Sequence, residues 1–275
     1  MNTHLLLATI TATVALGTQA PGETLLERGK YLVEGPAGCG NCHTAPVPGS
    51  AAYGGWTIHD GPIIAEAPNI TPGGRIAEWS DEELSKAIRE GLRPDGTVIG
   101  PPMPIGLYRG LSDTDLAAIV TFVRTLAPVE AELKKSQYPF PLPPSYGPPV
   151  EHVADVPRGV TEEYGAYLAG PVAHCIECHS LTAKGPDFES NLGGGGYEFE
   201  GPWGISIAAN ITSHPEALAQ YSDDEVFQMI TTGTRPGGAQ MNPPMGYQYY
   251  AHTDPDDIRA IIKYLRTLPP IAPEG

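Results

Sequence analysis

The residues best able to do chemistry in this chain are its four cysteines, which fall in two copies of one pattern: Cys39-Gly40-Asn41-Cys42-His43 and Cys175-Ile176-Glu177-Cys178-His179. None is left over to form a disulfide. Cys-x-x-Cys-His is the spacing of covalent c-type haem attachment. Two thiols about one helical turn apart reach the two vinyl groups on one porphyrin edge and become thioethers, and the adjacent histidine then lies under the iron. A redox dithiol needs no histidine at the next position. One zinc held jointly by the two pairs would have to bridge 132 intervening residues, against the roughly 15–20 of such sites. The cysteines therefore indicate two covalent haem c groups, with Cys39, Cys42, Cys175 and Cys178 as attachment points and His43 and His179 as iron ligands.

The surroundings of the motifs are duplicated. Gly29-Lys30-Tyr31-Leu32 returns as Gly165-Ala166-Tyr167-Leu168, and Asn69-Ile70-Thr71 as Asn210-Ile211-Thr212. Trp79-Ser80-Asp81, Arg93-Pro94, Pro101-Pro102-Met103 and Arg124-Thr125-Leu126 return as Tyr221-Ser222-Asp223, Arg235-Pro236, Pro243-Pro244-Met245 and Arg266-Thr267-Leu268. The offset is 136 residues at the cysteines and 142 from Trp79 onward, so the loop between differs in length. Each half is a complete unit, 21–130 and 159–275. The intervening residues 131–158 hold seven prolines among 28, which predicts an extended, semi-rigid connector along the surface.

Capping signals place the helices that must position these residues. Thr24 with Glu27, Ser80 with Glu83 and Ser222 with Glu225 have capping-box spacing. The first starts a helix through about Val33 that delivers the chain to Cys39; the other two start helices ending near Gly91 and Gly233. Ser112 with Asp115 and Thr253 with Asp256 are expected to open the last helix of each half. Leu116, Ile119, Val120 and Val123 in one, and Ile258, Ile261, Ile262 and Leu265 in the other, recur at helical spacing as core faces. No segment reads as a strand, so the expected fold class is all-α: two tandem domains, each a few helices and long loops around one haem.

Charge narrows the partners. A formal net charge of −16 repels nucleic acid and anionic membrane surfaces and favours a protein with a basic docking face. The apolar run Leu5–Leu16 is shorter than the ~18 residues of a membrane span. With Thr18-Gln19-Ala20 after it, residues 1–20 read as an export signal cut after Ala20, which places the chain in the periplasm. A retained anchor is the alternative. No later segment has the length and apolarity of a span.

With these motifs the chain resembles the cytochrome c superfamily, specifically its two-domain dihaem members. Cys39-Gly40-Asn41-Cys42-His43-Thr44, Trp79-Ser80-Asp81-Glu82-Glu83 and Pro101-Pro102-Met103-Pro104 are also similar to the cytochrome subunits of periplasmic alcohol and sugar-acid dehydrogenases. The resemblance implies a methionine as second axial ligand, from a loop ahead of the last helix, where Met103 and Met245 stand. His/Met ligation raises the reduction potential. It also implies that Arg93 and Arg235 contact haem propionates, a role suited to a planar guanidinium. Met241 is a rival to Met245, but only Met245 follows the Pro-Pro pair in register.

With both axial positions filled and no catalytic constellation elsewhere, the expected function is electron transfer between redox partners. The chain would act as a shuttle or as the electron-accepting subunit of a quinoprotein or flavoprotein dehydrogenase. The alternative is a dihaem enzyme of the peroxidase or thiosulfate dehydrogenase type, which needs a haem whose distal ligand is absent, displaceable or not methionine.

Overall fold

A computed structural model describes residues 22–131, 134–201 and 203–272; the expected export signal lies outside them. The first half contains α1 (Leu25–Glu34), α2 (Cys39–His43), α3 (Asp81–Glu90), α4 (Ile105–Tyr108) and α5 (Asp113–Val123). The second repeats the order with α6 (Glu162–Tyr167), α7 (Cys175–Cys178), α8 (Asp223–Thr232), α9 (Tyr247–Tyr250) and α10 (Pro255–Leu265).

The purely α expectation needs correction. The loop after each haem motif folds into antiparallel hairpins: β1 (Trp56–Asp60) with β2 (Ile63–Ala67), β3 (Leu181–Thr182) with β4 (Gly185–Pro186), and β5 (Glu198–Gly201) with β6 (Gly204–Ile207). Each strand has five residues or fewer, too short for the alternation that marks a strand in sequence.

Local signals do set the helix ends. Thr24, Ser80 and Ser222 each accept from the backbone N–H three residues on, and Glu27, Glu83 and Glu225 return the bond. Gly91 and Gly233 close α3 and α8 at φ 67°, a left-handed turn natural to glycine. Ser112 caps α5 as expected. The expected Thr253 cap is wrong: Asp254 caps α10, its carboxylate accepting from the Asp256 N–H, and Pro255 opens the first turn.

Within each domain the first helix crosses the last. At the crossings a Cβ on Gly29 would collide with the Ala118 carbonyl, and one on Gly165 with that of Ala260. Leu32, Val33, Leu116, Ile119, Val120 and Val123 of the first domain and Leu168, Ile258, Ile261, Ile262 and Leu265 of the second belong to one continuous hydrophobic core. The repeated arginines act as clamps. Arg124 donates to the carbonyls of Ile76 and Trp79 and to Asp81, and Arg266 to those of Leu218 and Tyr221 and to Asp223. Asn69 and Asn210 tie down the strands of chain leaving the last helices by donating to the Val129 and Ile271 carbonyls.

The two domains meet in reciprocal contacts. The Tyr31 hydroxyl donates to Asp257 at 2.5 Å, and that of Tyr167, its repeat equivalent, to Asp115 at 2.7 Å. Each hydroxyl also accepts from the N-cap backbone of the opposite helix, Tyr31 from Asp254 and Tyr167 from Ser112, both at 3.2 Å. Residues 134–158 contain no helix and run along the first domain. Ile64 and Gln137 exchange backbone hydrogen bonds at 3.0 and 2.7 Å, and Asp113 donates to the Val153 carbonyl at 3.0 Å.

Candidate haem sites

Each Cys-x-x-Cys segment is a single helical turn entered through a left-handed residue, Gly38 (φ 52°) in one case and His174 (φ 43°) in the other. This brings Cys39 and Cys42 onto one side of α2, with His43 at its last position, and does the same for Cys175 and Cys178 on α7, with His179 at its C-cap. No disulfide joins the four cysteines, which leaves every one of them for a thioether.

The histidines are oriented identically. His43 Nδ1 lies 2.8 Å from the Pro68 carbonyl, and His179 Nδ1 lies 2.6 Å from that of Ala209. A carbonyl only accepts, so Nδ1 carries the proton and Nε2 keeps its lone pair free for a metal. Burial lowers the pKa of both rings, partly opposed by these carbonyls, and favours the neutral form that can ligate. The donor set suits covalent haem.

Met103 lies half-buried against the core. Its carbonyl accepts from the Ile105 N–H at 2.8 Å, as that of Met245 does from the Tyr247 N–H at 3.0 Å. Met241 occupies another place. Its N–H donates to the Gly233 carbonyl at 2.7 Å, the counterpart of Ile99 donating to Gly91 at 2.8 Å. The loops are braced differently: Tyr138 and Tyr146 donate to the carbonyls of Pro101 and Ile99, whereas the Pro244 carbonyl accepts at 3.0 Å from Asn41, inside the first domain's own haem motif.

Arg93 donates to the carbonyl of Val98 at 2.8 Å and to Thr97 Oγ1 at 3.2 Å. Desolvation, and then the neighbouring positive charge of Arg75, lower its pKa. Positive charge gathered at this place favours an anionic group such as a carboxylate. Arg75 escaped the sequence comparison because the position 142 residues on is Ala217, so the second domain offers Arg235 alone. His174, just before Cys175, sits edge-on to Tyr108 of the first domain, ring centroids 6.0 Å apart. Tyr249 of α9 packs in return on Gly38 and Gly40. Each haem motif thus packs against the other domain, and burial pushes the carboxyl of Glu177, inside the second motif, up to about 8.

A helical unit built twice, each copy presenting paired thiols and a tautomer-fixed histidine, defines a dihaem electron-transfer protein. The cytochrome c family profile matches residues 26–127 and 163–269, and the chain belongs to that family. It carries two covalently bound haem c groups. The chain is 32% identical over 91% of its length to the fructose dehydrogenase cytochrome subunit of Gluconobacter japonicus, covering 54% of that protein. It is 29% identical over 95% to the cytochrome c subunit of a quinone-dependent alcohol dehydrogenase of Gluconobacter oxydans, covering 58%. A dihaem c-type cytochrome of Cereibacter sphaeroides is 26% identical over 85% of the chain, with 83% of its own length covered. The chain thus spans little more than half the length of the dehydrogenase subunits it resembles. Among the described residues no helix is long and apolar enough to cross a membrane.

Proposed function

We propose that this chain is a periplasmic dihaem cytochrome, made with residues 1–20 as an export signal, in which domains 21–130 and 159–275 are joined by linker 131–158. Thioethers at Cys39, Cys42, Cys175 and Cys178 hold the two haems. His43 with Met103, and His179 with Met245, ligate the irons. The observation that carries this reading is the pair of Nδ1–H···O=C bonds at His43 and His179, each leaving Nε2 free, together with two methionines in the same backbone register.

Haem c supplies a one-electron iron couple in each domain. The residues around it do the rest. The buried core against which Cys39 and Met103 pack, including Leu32, Ile76 and Leu84, would keep water from the first haem and thereby raise its potential. Arg93 with Arg75, and Arg235 alone, neutralise propionates, so the first site is the more cationic of the two. With a histidine and a methionine committed to each haem, no position would be left for a substrate and electrons would pass outer-sphere; haem motifs packed at the domain boundary favour transfer between domains.

The names of the Gluconobacter relatives support a dehydrogenase as electron donor, a quinoprotein or flavoprotein with a basic face toward this acidic chain. The chain then serves as its electron-accepting subunit or as a shuttle. The test is spectroscopic. Met103→Ala and Met245→Ala should each remove one haem's methionine-to-ferric-iron charge-transfer band and lower its potential, while Met241→Ala leaves both intact. Loss of the second haem's band in Met241→Ala, with Met245→Ala silent, would refute the ligand assignment.

A further inference from the structure

The internal repeat exposes a difference between the hairpins of the two domains. Both pair in the same register at an offset of 141 residues, so Thr57↔Glu66 corresponds to Glu198↔Ile207 and Asp60↔Ile63 to Gly201↔Gly204. In the first domain the outer edge of β2 is covered. Ile64 exchanges both backbone hydrogen bonds with Gln137, and the Glu66 N–H donates to Ser136 Oγ at 3.0 Å. The residues equivalent to Ile64 and Glu66 are Ile205 and Ile207. These are 56% and 61% exposed, and among the described residues nothing pairs with β6 except β5. The shared register turns the N–H and C=O of Ile205 to that open edge.

An open strand edge invites another strand, and proteins normally blunt such edges with lysine or proline. Gly204-Ile205-Ser206-Ile207 has neither. Exposed Glu198 and Glu200 pair with Ile207 and Ile205 on the neighbouring strand, so two isoleucines stand beside two carboxylates on one face. We infer that β6 is a docking edge for an extended segment of a partner polypeptide, which adds as a third antiparallel strand with alternating apolar side chains and at least one lysine or arginine. The segment covering β2, Lys134-Lys135-Ser136-Gln137, is the template, itself extended and basic. Backbone pairing supplies affinity and the alternate side chains supply selectivity. Two residues beyond Ile207, the Ala209 carbonyl holds His179 Nδ1. On the electron-transfer reading, which this consequence requires, a partner seated on β6 stands beside the second haem site.

The holoprotein is tested with two synthetic peptides. One carries residues 134–140 unchanged; the other carries Lys135→Val and Gln137→Val, which put apolar side chains opposite Ile207 and Ile205. Amide exchange is followed by NMR at millimolar peptide, with haem content read separately by absorption. The valine peptide should slow exchange of the Ile205 N–H by about tenfold, leave the already bonded Ile64 N–H unchanged, and do so less in high salt. Ile205→Pro, which removes the outward-facing donor together with the isoleucine side chain and fixes φ at that position, should abolish the effect on neighbouring residues, and Ile207→Lys, which keeps every backbone donor, should weaken it. Unchanged exchange at Ile205 with both peptides, or protection elsewhere than β6, overturns the proposal. So does protection that grows with protein concentration without peptide, which would identify a second copy as the occupant. Absence of haem would instead sink the electron-transfer reading and leave this result standing.

Discussion

The ion pair between Arg28 and Asp115 allows a quantitative test, because the second domain contains the same site built differently. Arg28 Nε and Nη2 donate to the two Asp115 oxygens at 2.7 and 2.9 Å, with the side chains only 5% and 7% exposed. Burial by itself would lower the arginine pKa, but the hydrogen bond and charge of Asp115 more than offset it and the net shift is upward. Removing one member of such a pair strands the other, at about 3–5 kcal/mol, whereas an exposed pair contributes about 0–1 kcal/mol. Asp115 in the Arg28→Ala protein would keep the Tyr167 hydroxyl at 2.7 Å and its place in the first turn of α5, so the lower half of that range is expected, about 3 kcal/mol. In the second domain Tyr164 occupies the place of Arg28, and Asp257 that of Asp115, with hydroxyls of Tyr31 and Tyr164 at 2.5 and 3.3 Å. Arg28→Tyr copies that arrangement and should recover about 1.5 kcal/mol, the low end of a hydrogen bond to a charged group. Adding Asp115→Asn to Arg28→Ala removes the stranded charge, so the double variant should be more stable than the single one. Urea unfolding of the holoproteins, followed by far-UV circular dichroism, measures all three. A loss below about 1 kcal/mol in Arg28→Ala, or no gain from the tyrosine, would refute the reasoning.

Asp257 is half-buried and its carboxyl is raised above the usual carboxylate range, by burial first and against the hydrogen bond from Tyr31. A carboxyl with a raised folded pKa contributes stability that is present below its unfolded pKa and lost as pH rises through the folded value. Asp257→Asn should therefore gain stability relative to the parent as pH is raised from acid to neutral in parallel melts. Tyr31→Phe and Tyr167→Phe each delete a hydrogen bond from one domain to a carboxylate of the other, about 1.5–3 kcal/mol apiece. The double variant should weaken dipolar coupling between the ferric haems in EPR spectra while both retain their axial bands. Gly29→Ala and Gly165→Ala drive a methyl into the carbonyls of Ala118 and Ala260 and should cost several kcal/mol each, about 1–3 or more, seen as lowered unfolding midpoints. Association with a basic redox partner should slow as salt screens the −16 charge; stopped-flow rates flat in ionic strength would assign that charge to solubility alone.

Chemistry carried by neighbours in the chain was legible in the sequence. Cys39, Cys42 and His43 lie within five residues, as do their counterparts, because one helical turn suffices to present two thiols and a ring. Capping boxes at Thr24, Ser80 and Ser222 are equally local, and the register of the repeat, which pairs Met245 with Met103 and Met241 with Ile99, returns in the backbone hydrogen bonds. At Thr253 even a local signal misled, since Asp254 with Pro255 after it makes the stronger cap.

What needed the tertiary structure involves partners far apart in the chain and of ordinary type. The carbonyls of Pro68 and Ala209 that set the histidine tautomers belong to residues with no distinguishing side-chain chemistry. Arg75 has no counterpart in the repeat, and its closeness to Arg93 follows from the fold of an intervening loop. Asn41 reaching Pro244 and Tyr31 reaching Asp257 span 203 and 226 residues. The open edge of β6 is visible only because the linker covers β2. Spacing encodes what one turn of helix can bring together, whereas packing decides which distant carbonyls, hydroxyls and strand edges meet, since many sequences satisfy those contacts and none marks them.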